Sequence, residues 1–477
     1  MLFNSLIFLF WFLPIVFTIN IFLKNKLSNY WLALASLFFY FWGESQYVYV
    51  FVISVLANYI FGLIIDKLDQ DETHTKFRKI AFVAGIVFNI ALLGHYKYWN
   101  FLIDGINNLA YLDKINNPAI HLPIGISFFT FEAIAYLCDL YIRKSKVIQN
   151  PVELLLYMGI FPHLIAGPVI RYQDLEEQIK SRKIQFNDIV EGLQRLIIGL
   201  TKKVILANGI GQIADKVFDS QSSLVGANIF WIGVIAYALQ LYFDFSGYSD
   251  MAIGLGRLFG FRFIENFNYP YASQSIQEFW RRWNISLGLW FKNYVYIPLG
   301  GSRLGLFWNL FNLVIVFFLT GLWHGAGLNF IIWGLFSGVL IICEKLFLTK
   351  LFSSFGGFFG RVLSHIYLIF AILISWVFFR SADITTSFNF IRKMFSLELG
   401  DITFLFNKES SVIFILSVFF AFPFFRNFVG WIKSKNQNNL GGVFINLISN
   451  SSYAIFFFIS LGYILTSTYN PFIYFRF

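Results

Sequence analysis

Charged residues are scarce in this sequence. Only 13% of its 477 residues are Asp, Glu, Lys or Arg, whereas 57% are hydrophobic and the mean hydropathy is +0.65. A soluble globular protein carries about 25% charged residues. Residues 304–343 contain no charged side chain at all, and this stretch is long enough for two membrane crossings of about 20 residues each. The sequence therefore predicts an all-α, polytopic integral membrane protein.

Cysteine is also nearly absent. Cys138 and Cys343 lie in separate apolar runs with no partner motif nearby. They are expected to be small core residues rather than a disulfide, a metal-binding pair or a nucleophile, and the sequence predicts no metal site. The formal net charge of +10 resides largely in short loops between apolar runs, as the positive-inside rule produces. Nucleic acid is therefore not expected as a partner.

Apolar runs of near-spanning length recur along the whole chain, and no polar stretch is long enough to fold separately. They lie at 5–23, 30–43, 47–65, 80–102, 123–142, 154–169, 189–208, 220–243, 307–323, 328–343, 362–379, 411–431 and 441–468. These runs predict about eleven to thirteen transmembrane or re-entrant helices in one domain, residues 1–477. Lys24 and Lys26 follow the first run directly, which predicts an N-terminus outside the cytoplasm.

His324 lies near the middle of the uncharged stretch, in the string Thr-Gly-Leu-Trp-His-Gly-Ala-Gly at 320–327. An ionisable side chain at membrane depth is costly and marks a functional site by default. Gly321, Gly325 and Gly327 remove side chains around the imidazole, so another backbone or a ligand can approach it closely. A neutral imidazole is a natural general base for a hydroxyl group.

The alternative for such a histidine is a structural role. A polar residue in a turn between two helices can simply hydrogen-bond to a backbone carbonyl. His365 and His95 are expected to be of this kind. For His324 the depth and the flanking glycines favour function.

Two carboxylates end a long apolar run at 240–250. On an uninterrupted helix Asp244 and Asp250 would lie on different faces, but Ser246 and Gly247 could break that helix and expose backbone groups to a water-filled cavity. The alternative is that the two carboxylates cap helix ends and pair with neighbouring arginines, because buried charges usually pair.

Cations and aromatic residues alternate at 278–303, in a predicted amphipathic helix that closes in a Pro-Leu-Gly-Gly turn. Arg281 and Arg282 could bind a phosphate-bearing donor at the cytoplasmic face, because guanidinium matches phosphate geometry. The alternative is an interfacial helix with snorkelling arginines and a tryptophan belt.

Several strings in this chain are similar to those of the membrane-bound O-acyltransferase superfamily, in particular its bacterial alginate and peptidoglycan O-acetyltransferase branch. These strings are at 122–131, 161–172, 240–256, 279–301, 322–327, 376–380 and 471–477. The resemblance implies a ring of membrane helices around a thinned centre with a tunnel. It also implies that His324 is catalytic and that Asn284 is the second catalytic position.

At Asn284 the sequence departs from that branch. Trp-Asn-Ile-Ser stands where Trp-His-Ile-Ser is usual, although Asn or Asp occupies the position in several eukaryotic relatives. The departure fits a mechanism in which His324 transfers the proton and Asn284 positions or polarises a carbonyl. Whether the asparagine is an alternative solution or a substitution that lowers activity stays open.

The resemblance further implies an acetyl-CoA donor, a polysaccharide acceptor and a periplasmic partner similar to SGNH hydrolases, with the enzyme in the inner membrane. The implied donor-binding residues are Trp280, Arg281, Arg282, Trp283 and Ser286, and the implied supporting residues are Asp244, Ser246, Asp250, Trp323 and Gly325. Peptidoglycan is the expected acceptor, because abundant Phe, Ile, Asn and Lys hint at an AT-rich genome. Alginate or another exopolysaccharide, D-alanylation of teichoic acid, a transporter without bond chemistry and a non-catalytic scaffold remain as alternatives.

Overall fold

The computed structural model describes residues 1–69, 74–109, 115–221, 223–435, 440–471 and 473. Its secondary structure is helical. No strand forms in these ranges, and one isolated antiparallel bridge joins Phe267 to Trp283. The predicted all-α fold class is therefore confirmed.

The chain divides into two compact units. The first comprises Met1–Leu196 with Met251–Ile264, and the second comprises Ile197–Asp250 with Glu265–Phe477. The organisation as one acyltransferase domain stays a prediction.

The first unit contains the N-terminal helices. They are α1 (Phe8–Phe22), α2 (Asn25–Gly43), α3 (Val48–Asp69), α4 (Thr75–Leu109), α5 (Ile126–Tyr141), α6 (Pro151–Gly159), α7 (Phe161–Leu164) and α8 (Tyr172–Lys180). Proline stands in the first turn of α6 and of α7, where its missing N–H would have no intrahelical acceptor.

Helices α9 (Phe186–Asp219) and α10 (Ala227–Leu258) contribute residues to both units. Within the first unit their backbones meet at two glycines. A Cβ on Gly254 would lie 2.6 Å from the Gly192 carbonyl oxygen, and one on Gly192 would lie 2.8 Å from the Gly254 oxygen. Small residues permit this close approach in membrane helices, so a larger side chain at either position would force the helices apart.

The second unit holds the remaining helices. They are α11 (Ile276–Arg282), α12 (Ile285–Phe291), α13 (Leu306–His324), α14 (Leu328–Ser354), α15 (Gly357–Arg380), α16 (Ile384–Met394), α17 (Lys408–Phe420), α18 (Phe424–Lys435) and α19 (Leu440–Thr466). Short π-helical segments occur within α9 at Lys202–Ala207 and within α14 at Glu344–Leu348.

Seven helices of the described chain are long and apolar enough to cross a membrane, namely α3, α4, α9, α10, α13, α14 and α15. Helices α17 and α18, bent by 67° against each other, form an eighth span if counted together. This number is below the eleven to thirteen segments predicted from the sequence, which included short and re-entrant ones. The apolar run at 154–169, for example, is divided between α6 and α7.

The spanning helices differ in how much of their surface is buried by protein. In the most apolar window of α10, 83% of the residues are buried, against 11% in that of α4. Helix α10 is therefore mostly buried, whereas most of the apolar surface of α4 is exposed on the outside of the structure.

Candidate functional site

His324 is the last residue of α13, and three residues separate it from α14. The two helices pack backbone to backbone near this turn. A Cβ on Gly321 would collide with the Phe330 carbonyl oxygen, and one on Gly334 would collide with that of Phe317. Glycine is required at both positions for this approach. The close packing brings the first turns of α14 beside the imidazole.

Aromatic rings enclose the His324 imidazole. Its centroid lies 4.6 Å from the Trp323 ring, 4.9 Å from the Trp333 ring and 5.1 Å from the Phe379 ring. Only 8% of the residue is exposed. Rings on three sides exclude water, and electrostatic interactions are stronger in such a site than in solvent.

The enclosure continues into a tryptophan cluster, which consists of Trp280, Trp283, Trp333 and Trp376. Ring centroids lie 5.5 Å apart for Trp280 and Trp333, 6.0 Å for Trp333 and Trp376, and 5.1 Å for Trp283 and Trp376. Trp333 belongs to both the cluster and the His324 enclosure. The structure thus links His324 to Trp283, the residue that directly precedes Asn284.

Tyr271 packs against this cluster from the segment between α10 and α11. Its ring lies 6.2 Å from that of Trp283, and its hydroxyl donates to the Ala238 carbonyl at 2.7 Å. Burial raises the pKa of the Tyr271 hydroxyl well above its usual value. The hydroxyl therefore stays protonated and serves as a structural donor.

Asn284 connects α11 to α12 in a left-handed backbone conformation, with φ 45° and ψ 55°. Asn266 holds the segment after Asn284 in place with two hydrogen bonds. The Asn266 carbonyl accepts the N–H of Ile285 at 3.0 Å, and its side-chain oxygen accepts the N–H of Ser286 at 3.0 Å. Asn, Asp and His are the non-glycine residues enriched at positive φ. The side chain of Asn284 is 6% exposed.

A buried carboxylate, Glu344, caps the N-terminus of α11. It accepts the N–H of Ile276 at 2.5 Å and that of Gln277 at 3.1 Å, and it is 5% exposed. Sequence reasoning missed this residue. The available signal was its position as the first charge after the uncharged stretch at 304–343. Glu344 fixes the orientation of the helix that carries Trp280.

The two predicted phosphate-binding arginines differ in their surroundings. Arg282 donates to the Glu278 carboxylate one turn earlier at 2.7 and 3.0 Å, which balances part of its charge. Arg281 is exposed at the end of α11. Arg281 is therefore the better candidate for an anionic ligand. Ser286, also predicted to bind the donor, is buried in the first turn of α12.

The two carboxylates of α10 pair with consecutive lysines of α9. Asp244 lies 2.6 Å from Lys203, and Asp250 lies 2.7 Å from Lys202. The helix is continuous through Ser246 and Gly247 rather than broken there. Because a Cβ on residue 247 would lie 2.8 Å from a carbonyl oxygen of α9, the glycine serves helix packing. The expected pairing of these carboxylates with cations is therefore seen, but with lysine instead of arginine. The expected capping of helix ends is wrong, because both carboxylates lie inside α10.

The C-terminal segment reaches the Lys203–Asp244 pair. The Lys203 ammonium donates to the Pro471 carbonyl oxygen, and the Ile473 N–H donates to the Asp244 carboxylate at 3.0 Å. Of the string at 471–477 that supported the family resemblance, 472 and 474–477 lie outside the described residues. The described part anchors the end of the chain on a buried ion pair.

The first unit contains a second buried histidine that sequence reasoning did not single out. His163 Nδ1 lies 3.1 Å from the Glu132 carboxylate, and the two side chains are 0% and 1% exposed. The available signal was a carboxylate inside the apolar run at 123–142. His365 Nδ1 lies 2.9 Å from the Ser273 carbonyl oxygen, as predicted for a structural histidine. For His95 the expected place in a turn between two helices is wrong, because it lies exposed inside α4 with its ring 5.6 Å from that of Trp99.

The remaining sequence-predicted residues lie as follows. Trp323 contributes one wall of the His324 enclosure, and a Cβ on Gly325 would collide with the Phe330 ring. Cys138 and Cys343 are free and half-buried. Within the described ranges no cluster of three His, Cys, Asp or Glu side chains could hold a metal ion.

The sequence profile of the membrane-bound O-acyltransferase family matches residues 34–380. The match covers most of the chain and includes His324, Asn284 and the whole tryptophan cluster. The chain belongs to the membrane-bound O-acyltransferase family. As a family member with several spanning helices, it is a multi-pass membrane O-acyltransferase.

Two relatives match this O-acyltransferase over its full length. The probable alginate O-acetylase AlgI of Pseudomonas putida is 35% identical over 495 residues, which cover 100% of both chains. The peptidoglycan O-acetyltransferase of Helicobacter pylori is 32% identical over 522 residues, covering 100% of this chain and 98% of the relative. The teichoic acid D-alanyltransferase of Bacillus subtilis is 29% identical over 56% of this chain and 68% of its own length.

Proposed function

We propose that this enzyme takes an acetyl group from acetyl-CoA at the cytoplasmic face of the inner membrane and passes it outward for O-acetylation of peptidoglycan. A periplasmic partner similar to SGNH hydrolases would complete the transfer to sugar, and the N-terminus would lie in the periplasm. One observation carries the proposal. The buried imidazole of His324 contacts Trp333, and the tryptophan cluster connects Trp333 to Trp283, the residue before Asn284.

The proposed reaction needs one proton carrier. His324 takes the proton of the acceptor hydroxyl while the hydroxyl oxygen forms a bond to the thioester carbonyl carbon. The carbon–sulfur bond then breaks, and the sulfur leaves with the proton that His324 had taken. The products are an acetyl ester and coenzyme A with a free thiol, and His324 returns to its starting state.

The other residues have positioning or binding roles in this proposal. Asn284 hydrogen-bonds the thioester oxygen or the imidazole, and its buried, laterally fixed backbone suits either task. Arg281, with Arg282 beside it, attracts the phosphates of coenzyme A, and Trp280, Trp283 and Ser286 line the donor site.

The lysine–aspartate pairs join α9 to α10 and have a structural role in this proposal. Asp244 and Asp250 are engaged by Lys203 and Lys202, so the carboxylates stabilise the helices rather than take part in chemistry. Ser246 lies on the same helix between them.

The proposal also names the polymer that receives the acetyl group. The full-length match to the peptidoglycan O-acetyltransferase of Helicobacter pylori supports peptidoglycan. A second candidate is alginate or another exopolysaccharide, which the equally complete match to the Pseudomonas putida alginate O-acetylase favours. D-alanylation of teichoic acid has weaker support, because that relative matches only 56% of this chain.

Ester-linked acetate on purified cell-envelope polymers tests the proposal. Peptidoglycan and exopolysaccharide would be isolated separately from a deletion strain that carries the wild-type chain, His324→Ala or the control His95→Ala. Membrane levels of each variant would be checked. We expect peptidoglycan acetate to fall to the deletion level with His324→Ala and to remain unchanged with His95→Ala.

Two other results would change the proposal in different ways. Loss of acetate from exopolysaccharide alone would replace peptidoglycan by the second candidate and leave the role of His324 intact. Acetate that persists with His324→Ala would overturn the catalytic assignment itself.

A further inference from the structure

Three indole N–H groups in the tryptophan cluster, those of Trp280, Trp333 and Trp376, have no hydrogen-bond acceptor among the described residues. The indole of Trp376 lies beside the Tyr271 hydroxyl, which leaves two donors with no polar neighbour of this kind. These two donors belong to Trp280 and Trp333, and both nitrogen atoms are buried. Trp333 as a whole is 1% exposed. Its ring contacts that of Trp280 at 5.5 Å and that of His324 at 4.9 Å. The two indole rings that carry these donors therefore pack against each other, and Trp333 joins them to the proposed general base.

Buried donors without acceptors are unusual. A buried donor that lacks an acceptor destabilises the folded state, and the indole N–H of a buried tryptophan usually finds a partner. Packing alone does not require tryptophan here, because phenylalanine would fill apolar space without burying a donor. The pair of donors instead suits an acceptor atom that arrives with a ligand.

The chemistry of the two indole donors indicates which kind of ligand atom they would bind. Indole N–H groups are neutral and cannot lose a proton in the reaction, so they suit an oxygen that gains negative charge only transiently. A phosphate would favour cationic partners such as the exposed Arg281. The thioester carbonyl oxygen fits, because it becomes negative when a hydroxyl adds to its carbon.

We infer that the indole N–H groups of Trp280 and Trp333 form the oxyanion site, donating hydrogen bonds to the acyl oxygen of the thioester. This inference rests on the proposed function. As the oxygen of the acceptor hydroxyl bonds to the carbonyl carbon, the carbonyl π electrons move to the carbonyl oxygen. The two N–H groups stabilise the negative charge there by hydrogen bonding. The electrons return as the carbon–sulfur bond breaks, and sulfur takes the proton carried by His324.

Isotope-edited infrared spectroscopy of [1-¹³C]acetyl-CoA bound to the enzyme in lipid nanodiscs tests the hydrogen bonds directly. Donation to the carbonyl lowers its stretching frequency. We expect a lowered frequency in the wild type and an upward shift when Trp333 or Trp280 is replaced by 3-benzothienylalanine, which keeps the bicyclic shape without the N–H. The matched control is the same replacement at Trp308, which is 48% exposed on α13.

Turnover gives a second readout. With the enzyme co-purified with its periplasmic partner in nanodiscs and a soluble muropeptide as acceptor, Trp333→Phe should lower kcat by about 100-fold or more with little change in KM, as loss of one oxyanion donor does. Trp308→Phe should leave both constants unchanged.

The inference would be overturned if acetyl-CoA binds and the carbonyl frequency is the same in all variants. The proposed function fails separately: acetyl-CoA that does not bind the wild type contradicts the donor, and His324→Ala with full turnover contradicts the base. Loss of turnover in His324→Ala together with wild-type kcat in Trp333→Phe would refute the indole donors alone.

Discussion

The imidazole of His324 and the indole of Trp333 meet edge to face, with ring centroids 4.9 Å apart and ring planes at 86°. The two residues lie on consecutive helices whose backbones touch at Gly321 and Gly334. The orientation of the proposed base is therefore set by the packing of α13 on α14. Trp333 also contacts Trp280, so this one indole connects the base to the segment that ends in Asn284.

Asn284 allows backbone and side-chain effects to be separated. Its φ of 45° suits glycine at no cost but penalises alanine by roughly 1–2 kcal/mol. We expect Asn284→Gly to fold normally and to lose most of its acyl transfer, whereas Asn284→Ala loses both stability and transfer. Asn284→His should fold and remain active, because histidine also tolerates this conformation. Thermal unfolding in detergent and release of coenzyme A thiol measure the two properties.

Full transfer activity in Asn284→Gly would show that the side chain takes no part in the reaction. Poor folding of Asn284→Gly would mean that the side chain, rather than the backbone conformation, holds the segment together.

Removal of the carboxylate cap on α11 should destabilise the helix that carries Trp280 and so lower both stability and activity. Glu344→Ala leaves the N–H groups of Ile276 and Gln277 without an acceptor, which costs roughly 1.5–3 kcal/mol. We expect a lower unfolding temperature together with reduced thiol release. Glu344→Gln, which keeps one side-chain oxygen as an acceptor, should recover most of both.

The control for this prediction is Glu398→Ala, because Glu398 is exposed between α16 and α17. Equal unfolding temperatures for Glu344→Ala and Glu398→Ala would contradict the capping role.

The buried pair Lys203–Asp244 should behave as a structural unit. Lys203→Met leaves a carboxylate that is 4% exposed without its cation, and breaking a buried pair in this way costs about 3–5 kcal/mol. Replacement of both residues, with Lys203→Met and Asp244→Leu together, should recover much of that loss. The recovery will be partial, since Asp244 also accepts the Ile473 N–H.

Thermal unfolding and thiol release of the single and double variants measure this coupling. A double variant that is stable yet inactive would show that Asp244 takes part in the chemistry.

Composition was sufficient to predict the broad fold, and His324 could be singled out from the sequence alone. A titratable residue inside forty uncharged positions stands out because the bilayer makes such residues costly. The same reasoning failed for Glu344, since one carboxylate at the end of an apolar run looks like an ordinary loop charge. Only the packed structure brings it to the N-terminus of α11.

Tertiary packing also determines what the motif residues do. Ser246 and Gly247 look like a helix break in isolation, yet α10 continues through them because the glycine fits against α9. The tryptophans of the cluster are spread from residue 280 to 376, and no local pattern predicts that their rings meet. Likewise, the positive φ of Asn284 follows from its lateral fixation by Asn266 rather than from its neighbours in sequence.

The central claim is that His324 is the general base of acyl transfer. Coenzyme A thiol release by the enzyme co-purified with its periplasmic partner in nanodiscs tests it most directly. His324→Gln keeps a polar side chain but cannot act as a base, so turnover of acetyl-CoA with a muropeptide acceptor should fall about 10²- to 10⁴-fold. The control His365→Gln should keep most of the wild-type rate, because His365 has a structural hydrogen bond to the Ser273 carbonyl. A His324→Gln enzyme that is correctly folded and turns over at the wild-type rate would contradict the account.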